Sequence, residues 1–156
     1  MKRPESGLQS GERASPQKTR KKMITPQSAL IYAMVMVSAS DNDMTDAELN
    51  VIGRIVDLLP VFADYDRNLL PKTAATCADV LSSDNGLEDA LDLIKASLPP
   101  HLRETAYAIA CDVAAADRDA QQEELRLLEM LRWRLNLDRL TAAAIERGSR
   151  ARFAVE

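Results

Sequence analysis

Residues 29–59 and 105–135 are two versions of one pattern, related by an offset of 76. ALIYAMVMVSASDNDMTDAELNVIGRIVDLL lies over TAYAIACDVAAADRDAQQEELRLLEMLRWRL, with identities at Val37/Val113, Ala39/Ala115, Asp41/Asp117, Asp43/Asp119, Glu48/Glu124, Leu49/Leu125 and Leu59/Leu135. Each copy reads as an apolar helix, a short acidic loop and an amphipathic helix. Both loops carry Asp-x-Asp-x-x-x-x-Glu. Two copies fall short of the three or more that a solenoid needs. The expectation is a compact bundle with two similar halves.

The rest of the chain agrees with an all-α class. Residues 23–156 contain only three glycines, Gly53, Gly86 and Gly148, and long stretches of Ala, Leu, Arg and Glu, which are good helix formers. No sustained period-2 strand pattern occurs. Thr25-Pro26 reads as an N-cap and first-turn pair opening a helix to about Ser40. A second helix is expected from Thr45 to Leu59, where Pro60 stops it. A third spans Arg67 to Leu81, with Pro71 in its first turn. Asn85-Gly86 breaks the chain before a fourth, Leu87 to Ala96. Pro99-Pro100 introduces a fifth, ending near Ala116, and two more follow over 121–135 and 138–147. About seven helices are expected.

Composition excludes several classes. The 156 residues, 46% hydrophobic, suffice for one domain with a packed core. The longest apolar run, Ala29 to Val37, is nine residues, against the roughly 20 that cross a bilayer. No apolar stretch follows the basic N-terminus, so no secretory signal is expected. Two cysteines in that context point to a reducing compartment and a cytoplasmic protein rather than a disulfide framework. A single histidine excludes a multi-histidine zinc site.

Charge divides the chain. Residues 1–22 carry seven basic and two acidic side chains, +5, which leaves −9 of the total −4 for residues 23–156. With almost nothing apolar, residues 1–22 are expected to form a disordered basic tail ahead of a helical domain over 23–156. Its Lys18-Thr-Arg-Lys-Lys22 run is read as a solvated tail with no specific nucleic-acid target.

The acidic loops have two readings. Thr45 with Glu48 three residues on is a capping box. Glu123 and Glu124 fall in an opening turn, where the helix dipole favours negative charge. Alternatively, Asp41, Asp43 and Glu48, and likewise Asp117, Asp119 and Glu124, converge on a hard divalent cation; such oxygen-rich sets suit calcium, magnesium or manganese. Spacing leaves both open. Neither loop is an EF-hand: counting from Asp41, positions six and twelve are Asp46 and Ile52, and from Asp117 they are Gln122 and Leu128, where Gly and Glu belong.

Ala-x-Asp-x-Asp-x-Thr-Asp-Ala-Glu-Leu (39–49) and Ala-x-Asp-x-Asp-x-Gln-Gln-Glu-Glu-Leu (115–125) resemble the paired acidic motifs of TerB-like tellurite-resistance proteins. The resemblance covers roughly 25–147, including Leu98-Pro-Pro-His-Leu-Arg103. It implies an all-helical fold and a place in bacterial operons for resistance to tellurite and other stresses. Related domains occur in co-chaperones attached to J-domains. It also implies a protein partner, within a membrane-associated stress-resistance complex, and divalent metal at Asp41, Asp43, Glu48, Asp117, Asp119 and Glu124. The family commonly has Gly after the first Asp of each motif. Here Asn42 stands there, and Asn tolerates left-handed backbone; in the second copy it is Arg118, whose charge opposes the neighbouring carboxylates. Tellurite is itself an anion, so acids in a body of charge −9 do not hold it. The reading is a non-enzymatic regulatory or partner-binding module, against a metal-free interaction module whose acids only cap helices.

The remaining reactive residues read as structural. Cys77 and Cys111 lie in apolar helical stretches and are expected in the core. His101, after two prolines, is expected at the surface. Trp133 is expected against the last helix, with an exposed interface anchor as its other role. Arg147, Arg150 and Arg152 form a solvated basic end, with Phe153 isolated among them.

Overall fold

A computed structural model describes residues 23–39, 44–117 and 122–156. The expected helix at the chain's first apolar run is its centre. α1 (Pro26–Ser38) starts where Thr25 Oγ1 accepts from Ser28 N at 3.1 Å, with Pro26 in the first turn. Every residue from Ala29 to Ser38 is buried, as a helix apolar on all sides must be. The second-copy counterpart, α5 (Arg103–Ala116), packs along it.

The other helices lean on this pair with their apolar faces. α2 (Asp46–Leu58) and α6 (Gln122–Arg134) each touch both α1 and α5, so each copy's second helix also contacts the other copy's first. α3 (Leu70–Leu81) and α4 (Gly86–Ser97) cover α1, and α7 (Arg139–Arg152) covers α5. Among the described residues there are seven α-helices and no strand. Leu30, Ile31, Met34, Ile52, Ile94 and Leu131 meet in one continuous core.

Local chemistry explains the boundaries. The Arg67–Leu69 turn is 3-10 rather than the start of the third α-helix, capped by Asp66 Oδ1 on Asn68 N. Pro100–Leu102 is a similar turn ahead of α5. α4 begins on Gly86, one residue before the expected Leu87. A Cβ there would lie 2.2 Å from Leu81 O, so only glycine lets α4 pass this close to the end of α3. α6 ends in a Schellman motif: Leu137 N donates to Arg132 O, Asn136 N donates to Trp133 O, and Asn136 sits at φ 54°.

The last helix is longer than expected. α7 continues through Gly148 to Arg152 because its final turn is tied to α5: Ser149 Oγ donates to Asp112 Oδ1 at 2.6 Å, and Arg152 Nη2 pairs with the same oxygen at 2.5 Å. Arg152 therefore has a partner and is not only a solvated charge. Trp133 also departs from expectation. It is 66% exposed beside α4, lining a cleft with Leu91 and Lys95, and the Arg132 guanidinium lies 4.9 Å from its ring centroid.

Candidate functional site

The α1–α5 pairing brings the described parts of the two acidic motifs to one cavity. The C-terminal ends of α1 and α5 and the N-terminal turns of α2 and α6 border a single open cavity of about 280 Å³. Its lining includes Glu48 from the first motif and Asp117 and Glu124 from the second. Two stretches 76 residues apart in sequence thus face a common space.

Each acid has a distinct setting. Glu48 is half-buried, and its carboxylate closes the expected capping box: Oε2 accepts from Thr45 N at 2.8 Å while Thr45 Oγ1 accepts from Glu48 N at 3.2 Å. Asp117 is exposed, at the C-terminal end of α5. Glu124, in the first turn of α6, is only 5% exposed. The other three expected ligands, Asp41, Asp43 and Asp119, lie outside the described residues. Among the described residues, no three His, Cys, Asp or Glu side chains stand together closely enough to hold an ion.

Ser38 belongs to this site and was not among the residues the sequence pointed to. It is 6% exposed, lines the cavity, and its hydroxyl has no hydrogen-bond partner among the described residues. A buried polar group without a partner carries a desolvation cost, so its retention calls for an explanation. The repeat offers a clue, because the counterpart of Ser38 is Ala114, which lines the same cavity. A lone hydroxyl at the end of an otherwise apolar run was the available signal.

The other reactive side chains are accounted for by packing. Cys77 and Cys111 are buried, and burial pushes each thiol up to about 12, leaving both protonated at neutral pH. Burial, then the hydrogen bond that Tyr107 Oη donates to Glu146 Oε1 at 2.5 Å, holds the Tyr107 phenol well above its ordinary range. His101 is exposed in the turn before α5. No helix among the described residues is long and apolar enough to cross a membrane.

Compared with protein-family profiles, curated proteins and solved structures, the chain has no match.

Proposed function

We propose that this chain is a non-enzymatic, TerB-like cytoplasmic module of bacterial stress resistance, tellurite included, that takes a hard divalent cation between its two acidic motifs and so controls contact with a protein partner. The observation that carries the reading is the shared cavity, which Glu48 lines from one copy of the repeat and Asp117 and Glu124 from the other. The donors suit the cation: among the described residues, the polar side-chain atoms of this lining are oxygens of Ser38, Thr45 and the three acids. Sequence spacing adds Asp41, Asp43 and Asp119 to the proposed ligands. Calcium, magnesium or manganese is the expected ion. Its charge would offset that of the surrounding acids and let an otherwise repelled partner approach.

Calorimetric titration of each cation into chelator-stripped protein tests this, with Asp117→Asn alongside. Saturable heat that the substitution weakens supports the site. No heat with any cation leaves the acids as helix caps. That second reading, a metal-free interaction or co-chaperone-type module, is favoured by one observation: the Glu48 carboxylate already accepts from Thr45 N.

A further inference from the structure

Hard cations are held by oxygen, so cation binding gives no role to the apolar part of the cavity wall. Yet Val37, Val51, Val113, Ala47 and Ala114 form much of this cavity's lining. Its volume, about 280 Å³, is close to the lower end of pockets that take small organic ligands, roughly 300–1,000 Å³. Among the described residues its lining carries three acids and no Lys or Arg. Ser38, more than nine-tenths buried, adds a hydroxyl whose acceptor and donor capacity is unused among the described residues.

We propose that this cavity seats a primary ammonium on an aliphatic stem, the chemistry shared by a partner protein's lysine side chain and a free aliphatic diamine. The stem lies along Val37, Val51 and Val113, as lysine methylenes lie along apolar surface while the charged head stays among polar groups. An ammonium carries three donors and no acceptor, which matches a cavity whose polar side chains include Ser38 Oγ and carboxylate oxygens. The acids supply charge complementarity, and the apolar walls accommodate the stem. The inference uses the cavity proposed above for a cation but does not depend on cation binding.

The test is a ¹H–¹⁵N NMR titration of the full chain in chelator at about 0.15 M salt, where long-range attraction is screened over roughly 8 Å. The probes are 1,5-diaminopentane, Nα-acetyl-lysine methylamide and the same compound acetylated on Nε. Saturable shifts centred on the amides of Val37, Ser38, Val51 and Val113 are expected with both amines and absent with the acetylated probe. Tighter binding of the diamine identifies a free amine as the source, and tighter binding of the lysine probe identifies a partner side chain. Asp117→Asn, at an exposed helix end, is expected to weaken binding by roughly two- to fivefold, and Ser38→Ala by roughly three- to tenfold. Shifts scattered over the acidic surface, equal binding of the acetylated probe, or affinities unchanged in both variants overturn the proposal. Because chelator is present throughout, loss of the divalent-cation reading leaves this result standing, and the reverse also holds.

Discussion

Replacing Ser38 with alanine should stabilise the ligand-free protein. The Ser38 hydroxyl, at the last residue of α1, is buried without a partner among the described residues. An unsatisfied buried polar group costs about 1–3 kcal/mol, and alanine is the better helix former by a few tenths. Against this stands the loss of one oxygen's packing, which is small beside an open cavity. Ala114 shows that the fold accepts alanine at the equivalent place in α5. The net expectation is a gain of about 1 kcal/mol, which raises Tm by roughly 2–4 °C in a chain of this size. Urea unfolding in chelator, followed by helical circular dichroism, measures it, with the slope m unchanged. Addition of a ligand that uses the hydroxyl should narrow or reverse the gap, since tighter binding stabilises the wild-type chain more. A variant less stable than wild type in chelator refutes the reasoning, because it means that the hydroxyl is already satisfied in the free protein.

Four further outcomes follow from the packing. Gly86→Ala forces a Cβ to 2.2 Å from Leu81 O, and should cost about 1–3 kcal/mol in the same urea assay. Asn136→Gly relieves a left-handed backbone at φ 54° and should be neutral or stabilising, whereas Asn136→Val should lower Tm. Thr45→Ala removes the acceptor for Glu48 N and should destabilise by about 1 kcal/mol, read by amide exchange in the first turn of α2. Both cysteines have folded-state values raised to about 12 from an ordinary 9.0, so their contribution to stability is complete below pH 9.0 and falls as pH rises toward about 12. A Cys77→Ala/Cys111→Ala variant should lose less stability over that interval, and native thiols should resist a disulfide reagent at pH 8.

The sequence showed most of the helices and one edge of the site. Thr25-Pro26 and Thr45-x-x-Glu48 are local signals, satisfied within a few residues, and both appear as N-caps in the structure. The end of α7 was not legible, because Ser149 and Arg152 are held by Asp112, 37 and 40 residues away. Trp133 lies beside α4 rather than against α7 for the same reason: α6 presents that side to α4, a choice made by tertiary packing. The repeat revealed two acidic motifs but not their meeting. That depends on α1 lying along α5, which no local pattern specifies. Ser38 is not legible in the sequence, because a single serine in an apolar helix has no signature separating an orphan hydroxyl from one bonded to its own helix.

Backbone NMR of the chelator-stripped chain with substoichiometric manganese tests the central claim most directly, since a bound paramagnetic ion broadens the amides around it. The account predicts broadening centred on Ser38, Glu48, Asp117 and Glu124 together, from both copies of the repeat, and its displacement by excess calcium or magnesium. Broadening elsewhere on the acidic surface, or around only one of the two motifs, contradicts a single shared site.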